Sequence, residues 1–379
     1  MKIVAVLGSG LVGGLIIRDL LDDPEIRVRA TDLSDSALSA LPDSDRLERR
    51  KVDLSDTSAI RETVADVDVV VGAVPGRFGN AMLRAVIESG KPIADISFSP
   101  EDPLDLDDLA RSKGVAAVMD CGVSPGLSNL AVGRAASRLD SIESAIIYVG
   151  GLPVERYWPY EYRVVFSATD VIEEYTRPAR LVEEGRLVTR EALSEVELID
   201  MPGLGTVEAF NTDGLRTLIR TIKARNMREK TLRYPGHADR MRMLRETGFF
   251  SEKPVRVGAV EVGPRALTEE LLFRTWKRPP DEPEVTALHV AVSGLRDGTA
   301  ARFEYDLVDR TDSRTGATSM ARTTGYPCAI VARMLTRGII RATGVLPLEL
   351  LAPDTGFYEA LISDLQNRGI HFRESVFGP

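Results

Sequence analysis

Along the first 120 positions, short runs of strand-forming residues alternate with amphipathic stretches. Ile3 to Leu7, Ile26 to Thr31, Lys51 to Asp53, Asp68 to Gly72, Pro92 to Asp95 and Val115 to Met119 read as strands. Val69-Val70-Val71 has the unbroken apolar character of a strand buried on both faces. Leu15 to Leu21, Ser55 to Val64, Asn80 to Ser89 and Leu106 to Lys113 read as the helices between them. Alternation of this kind predicts an α/β domain, a Rossmann-type doubly wound parallel sheet with helices on both sides.

Near residue 122 the pattern changes. Pro125-Gly126 opens a helix, Leu127 to Leu139, and strand signals follow at Ser144 to Val149, Tyr162 to Ser167 and Gly205 to Phe210. Ala287 to Gly294 and Ala300 to Asp309 read as a hairpin, because Asp297-Gly298 between them is a strong turn signal. Helices are expected at Gly214 to Ile222, Asp239 to Glu246 and Glu269 to Trp276. This is an α+β second domain with a largely antiparallel sheet. From Tyr326 onward helices return, at Cys328 to Ile340 and Gly356 to Gln366. The expected organisation is residues 1–121 as one domain completed by C-terminal helices in 326–379, with 122–325 as a second domain. No linker or internal repeat separates them, so the two are expected to be joined along a cleft.

The first strand runs directly into Gly8-Ser9-Gly10-Leu11-Val12-Gly13 and then a helix. Gly8 permits the tight turn, Gly10 lets backbone approach a pyrophosphate, and Gly13 lets helix pack on strand. The helix start offers free N–H groups to phosphate. Asp32 closes the second strand, where a carboxylate accepts ribose hydroxyls and repels a 2′-phosphate, so NAD is the expected cofactor. Arg29 lies near it in sequence and would soften that preference. Ligands of such sheets sit beyond the carboxyl ends of the strands. The remaining cofactor candidates are therefore Asp53, Ala73-Val74-Pro75 and Gly122-Val123, together with Leu11 and Val12 of the turn.

The chain's 379 residues carry 44% hydrophobic and 28% charged positions and a formal charge of −9, which speaks against nucleic-acid binding. Two cysteines, Cys121 and Cys328, build no disulfide framework and point to a reducing compartment. No apolar run spans a bilayer and the N-terminus lacks a signal-peptide layout, so a cytoplasmic protein without membrane contact is expected. Three scattered histidines give no metal-ligand spacing, and no metal is expected. With no nucleophile elbow or Walker loop, hydride transfer to a dinucleotide is the chemistry that fits. Substrate candidates in the second domain are Arg177, Thr212, Asp213, Arg216, Arg233 and His237, since arginine forks suit carboxylates. Asp95, Asp120 and Asp170 are the candidate general bases, and nothing in the sequence chooses among them.

Several stretches resemble the saccharopine dehydrogenase superfamily. They include Ile93-Ala94-Asp95-Ile96-Ser97-Phe98, Asp120-Cys121-Gly122-Val123-Ser124-Pro125-Gly126-Leu127-Ser128-Asn129 and Glu208-Ala209-Phe210-Asn211-Thr212-Asp213-Gly214-Leu215-Arg216. Gly150-Gly151-Leu152-Pro153 and Lys230-Thr231-Leu232-Arg233-Tyr234-Pro235-Gly236-His237 continue the likeness. Within the superfamily the pattern is most similar to the L-lysine 6-dehydrogenase branch. That resemblance implies NAD-dependent oxidation of the ε-amino group of L-lysine to 2-aminoadipate 6-semialdehyde, which cyclises, with release of ammonia. It also implies a homodimer whose contacts lie in the second domain. The alternatives are reductive condensation of the saccharopine reductase or carboxynorspermidine dehydrogenase kind, and a dinucleotide-sensing protein without turnover. Asn129 stands where the condensing branches are expected to carry an acidic or histidine-bearing pattern.

Overall fold

The computed structural model describes residues 1–164, 168–279 and 282–378, with the backbone alone at 168–170. Six short strands come first: β1 (Lys2–Leu7), β2 (Ile26–Asp32), β3 (Leu47–Lys51), β4 (Val69–Gly72), β5 (Ile93–Asp95) and β6 (Ala116–Val118). Helices Leu11–Leu21, Thr57–Val64, Gly76–Glu88 and Asp107–Lys113 alternate with them. The chain then forms β7 (Ser141–Pro153), β8 (Ala179–Glu183), β9 (Arg186–Arg190), β10 (Glu197–Met201), β11 (Gly205–Asn211) and β12 (Ala224–Arg233). A small hairpin follows, β13 (Val255–Val257) with β14 (Val260–Val262), and then the long pair β15 (Glu284–Arg296) and β16 (Thr299–Arg310). After the helix Ser319–Thr336 come β17 (Gly344–Val345), the helices Leu348–Leu351 and Thr355–Asn367, and β18 (Arg373–Phe377).

Two compact units result. Unit 1 holds Met1–Arg138, Arg216–Ile222 and Ala321–Phe372, and unit 2 holds Leu139–Leu215, Lys223–Met320 and Arg373–Pro379. The sheet of unit 1 runs in the order β17-β6-β5-β4-β1-β2-β3 with every neighbouring pair parallel. Its winding reverses between β1 and β4, which makes that gap the topological switch point where such sheets take ligands. Ala5, Leu7, Val70, Val86 and Ile93 lie in the core beneath it. In unit 2 the order is β10-β11-β12-β7-β15-β16-β18, with β8 and β9 beside it. All its pairings are antiparallel except β7 with β12. The hairpin at Asp297-Gly298 forms as expected, with Arg296 opposite Thr299.

The boundaries differ from the expectation in instructive places. The third strand lies at Leu47–Lys51, ahead of the expected 51–53. The helix Leu127–Ala136 stays with unit 1, whereas β18 leaves the C-terminal region to pair with β16 of unit 2. The expected helix Gly214 to Ile222 shrinks to one turn, Leu218–Thr221. Arg216 interrupts it with a left-handed backbone, φ 53°. Residues 162–164 carry no strand beyond one bridge from Val164 to Lys277, and residues 165–167 lie outside the described residues. The central strand β12 was hidden because its buried face carries Met227, Glu229, Thr231 and Arg233 rather than an apolar row.

Candidate functional site

The glycine turn has the geometry of a dinucleotide cradle. Gly8 has φ 105°, and a Cβ there would lie 2.3 Å from the Ala73 carbonyl oxygen. A Cβ on Gly13 would lie 2.0 Å from the Gly8 carbonyl oxygen, so strand, turn and helix are pressed together. At Gly10 the same test meets nothing within 4 Å. Gly10 is the N-cap of the helix Leu11–Leu21 and supplies no side-chain cap, so no side chain occupies the N–H groups that a phosphate would take there. Val12 packs on Gly325 of the returning helix Ser319–Thr336, while Leu11 is exposed. Asp32 closes the turn from the other side: Ser9 N donates to Oδ2 at 2.8 Å and Ser34 N to Oδ1 at 2.8 Å. The residues present therefore fit a bound dinucleotide.

Arg29 does not soften the charge at Asp32. It is buried and its guanidinium is taken by Asp66, Glu48 and the Thr63 carbonyl. Asp53 is exposed and accepts from Ser55 N (2.9 Å) and Ser55 Oγ (2.6 Å), which holds its carboxyl below the usual range. Val74 N donates to Ser97 Oγ at 3.3 Å, and Pro75 starts the helix Gly76–Glu88. Gly122 and Val123 are buried, and their carbonyls cap the helix Leu127–Ala136 by accepting from Leu127 N and Ser128 N.

Beyond β5 and β6 lies a cluster of charge. Asp95 is buried at the end of β5, where Ser97 N donates to its Oδ1 at 3.1 Å. Its carboxylate fills the space a Cβ on Gly72 would need. Burial pushes its carboxyl up to about 7, with the Ser97 hydrogen bonds opposing and the Asp120 charge adding. Asp120 follows β6 with φ 53° and is 3% exposed. It faces Arg216 through Nε–Oδ2 at 3.4 Å and Nη2–Oδ1 at 3.3 Å. Arg216 Nη1 also donates to the Ser99 carbonyl, and its guanidinium lies over the Phe98 ring, 4.7 Å from the centroid. Left-handed backbone at a non-glycine residue costs on the order of 1–3 kcal/mol and gathers at functional sites. Here two such residues, 96 positions apart, face each other inside unit 1.

The other substrate candidates lie in unit 2. Thr212 Oγ1 donates to Glu229 Oε2 at 2.5 Å and neighbours Thr231 Oγ1 at 2.8 Å. Glu229 itself is buried, which pushes its carboxyl up to about 8. Asp213 is held by Arg180 in a two-pronged pair of 2.8 and 2.9 Å. Arg233 is buried, pairs with Glu174 and lies over the Tyr162 ring. Arg177, one residue beyond the helix Ala168–Thr176, pairs with Glu173 of that helix. His237 sits in an aromatic core with Tyr162, Tyr175 and Trp276. Its Nδ1–H donates to the Tyr160 carbonyl at 3.0 Å, so Nε2 accepts from the Tyr175 hydroxyl at 2.9 Å. Burial holds its pKa down to about 3. The helix it begins is capped by Glu208, which accepts from Gly236 N and Ala238 N. The side chain of Asp170 lies outside the described residues.

The structure thus brings Asp95, Asp120 and Arg216 together and leaves Thr212, Asp213, Arg233, His237 and Arg177 in the other unit. Sequence reasoning missed Phe98, the Ser99 carbonyl and the buried Glu349, which accepts from Thr217 Oγ1 at 2.6 Å. Glu349 stands on a four-residue helix that carries no motif, so no local signal marks it. Among the described residues no group of three His, Cys, Asp or Glu is placed to hold a metal, and no helix is long and apolar enough to cross a membrane.

Comparison with known proteins adds a second line. Residues 4–118 match the family model of the saccharopine dehydrogenase NADP binding domain, and residues 122–370 that of the saccharopine dehydrogenase C-terminal domain. The chain is 24% identical to the NADP-dependent, L-glutamate-forming saccharopine dehydrogenase of Saccharomyces cerevisiae over 99% of both chains. It is 21% identical to the mitochondrial α-aminoadipic semialdehyde synthase of Mus musculus, covering 98% of this chain and 47% of that one. Among solved structures, apo saccharopine dehydrogenase (L-Glu forming) from S. cerevisiae matches at 19% identity with a TM-score of 0.81 over the whole of both chains, which places the two on the same fold.

Proposed function

The chain belongs to the saccharopine dehydrogenase family of NAD(P)-dependent oxidoreductases, and within it we propose that it uses NAD to oxidise the ε-amino group of L-lysine, giving 2-aminoadipate 6-semialdehyde and ammonia. The observation that carries this reading is the facing pair of buried left-handed residues, Asp120 and Arg216, beyond the sheet's strand ends. Their contacts of 3.3 and 3.4 Å are longer than the roughly 2.7–2.9 Å of an optimal charged hydrogen bond. A substrate carboxylate arriving at Arg216 would compete with Asp120 for the guanidinium and leave Asp120 beside the substrate's amine for proton transfer.

When bound, the dinucleotide accepts the hydride from the carbon that carries nitrogen. The chain's own residues handle the protons. An ε-ammonium with an ordinary pKa of about 10.4 must first lose a proton, and Asp120 is the group to take it. Water then adds to the resulting iminium carbon, Asp120 accepts and returns protons, and ammonia leaves. Arg216 holds the α-carboxylate throughout. The relatives named above form L-glutamate from saccharopine or make α-aminoadipic semialdehyde; the proposed reaction yields the same semialdehyde with ammonia as the leaving amine. Preference for NAD rests on Asp32, since a 2′-phosphate there would meet a carboxylate whose neighbour Arg29 is already engaged.

The test is reduced-nicotinamide absorbance with NAD or NADP and a panel of L-lysine, L-ornithine and saccharopine, with ammonia and glutamate measured alongside. The reading expects NAD reduction with L-lysine and one ammonia per turnover. Reduction with saccharopine alone, releasing glutamate, would replace it with the activity for which the yeast relative is named, the second reading that the comparisons favour.

A further inference from the structure

Arg216 belongs to a seven-residue excursion, Arg216–Ile222, that leaves the chain of unit 2 and joins unit 1. Two sets of contacts hold it. One is exposed: Arg220 Nη1 reaches Asp102 at 2.9 Å and Asp105 at 2.7 Å. The other is buried. Glu349, 2% exposed, accepts from Thr217 Oγ1 at 2.6 Å, and the Thr221 hydroxyl stands 2.9 Å from the same oxygen. Its second oxygen accepts from Asn129 Nδ2 at 3.3 Å, and Asn129 Oδ1 in turn accepts from Ser128 Oγ at 3.0 Å. The backbone of Glu349 is itself fixed, because it lies against Gly133, where a Cβ would come within 2.4 Å of its carbonyl oxygen. Three chain segments far apart in sequence therefore meet at one carboxylate.

We propose that Glu349 is a positioning residue for Arg216: by gripping both threonines of the turn that follows, it holds Arg216 in its left-handed conformation and turned toward Asp120. The inference rests on the reading of Arg216 as the substrate's carboxylate partner. The physical reason is that a one-turn helix of four residues has almost no stability of its own. An arginine at φ 53° would relax to an ordinary conformation once its neighbours were free. Thr217 adjoins Arg216 and Thr221 lies one turn on, its hydroxyl 3.0 Å from the Thr217 carbonyl as well as 2.9 Å from Glu349, so one carboxylate oxygen meets both ends of the turn.

The experiment compares Glu349→Ala, Glu349→Gln, Thr217→Val and Arg220→Ala by amide hydrogen exchange, NADH binding and steady-state kinetics with L-lysine. Glu349→Ala and Thr217→Val are expected to accelerate exchange across 216–222 while residues 2–21 keep their protection. The KM for L-lysine should rise by about ten- to a hundredfold, the range a small misplacement of a binding group produces, with NADH affinity unchanged. Glu349→Gln keeps an acceptor for the two threonines and should restore most of both properties. Arg220→Ala should change little, because its ion pairs are exposed. Unchanged exchange at 216–222 in Glu349→Ala overturns the proposal. So does an equal weakening of NADH and lysine binding with protection lost throughout. If the wild-type protein does not oxidise L-lysine, the functional reading fails, and the exchange data alone decide the role of Glu349.

Discussion

Two aspartate–arginine pairs, one in each unit, show how differently the same chemistry can be built. Asp213 and Arg180 in unit 2 meet in a two-pronged geometry at 2.8 and 2.9 Å, and the arginine's side chain is 37% exposed. Asp120 and Arg216 in unit 1 meet at 3.3 and 3.4 Å, both nearly fully buried and both on left-handed backbone. The first pair is at its geometric optimum, with Asp213 nearly buried and Arg180 reaching solvent, so it serves as a fastening. The second is longer and buried, and on the proposed reading its charges serve the substrate. Asp213 and Arg216 are only three residues apart, yet the unit boundary passes between them. Sequence proximity suggested one substrate cluster; the structure divides it.

The sharpest way to break this comparison is at the unit 1 pair. Asp120→Asn is expected to lower kcat by about 10²–10⁴, the usual contribution of a positioned acid–base group, with dinucleotide affinity retained. An activity within error of wild type would move the base elsewhere. Arg216→Ala leaves Asp120 buried without its cation, a change that typically costs about 3–5 kcal/mol. Its KM for L-lysine should rise by more than about a hundredfold, read against the NADH affinity as an internal control.

A third probe concerns Asp95, in the electrostatic field of the same pair. Its carboxyl is pushed up to about 7 in the fold, above its ordinary value of 3.8, because it is buried. The fold therefore keeps a proton that the unfolded chain has already lost between those two values, and stability falls as pH rises from about 4 to about 7, then levels off. Asp95→Asn should remove on the order of 2–4 kcal/mol of that decline, measured as the difference in denaturant-unfolding stability between pH 5 and pH 8. An unchanged slope would show the Asp95 carboxyl to be ionised throughout. His237 acts with the opposite sign: neutral in the fold down to about 3, it contributes stability above its ordinary value of 6.5 that is lost as pH falls through that range. The smallest effect belongs to unit 2. Arg180→Ala leaves Asp213 the Arg180 backbone N–H as a partner but takes its guanidinium, so it should cost about 1–3 kcal/mol and leave kcat and KM in place. Kinetic losses there as large as at Arg216 would erase the distinction between the two pairs.

The sequence alone determined the parallel sheet, the glycine turn and the acidic residue closing β2. These depend on local chemistry: a continuous apolar strand, glycine's backbone freedom and a spacing set by one strand–helix–strand unit. Gly8 and Gly13 pack the turn between β1 and its helix, and Asp32 accepts from Ser9 N beside it. It also marked Asp95 and Asp120, since both follow predicted strands. Strand β12 escaped because a buried polar face erases the alternation by which strands are recognised. Only the tertiary structure decided that Arg216 faces Asp120 and that Glu349, 132 positions beyond Thr217, grips the turn between them. Those pairings arise where the chain leaves one unit for seven residues and comes back. Local propensity carries no information about such a return; it is stable only because the buried polar groups of three separate segments satisfy one another once all three are folded.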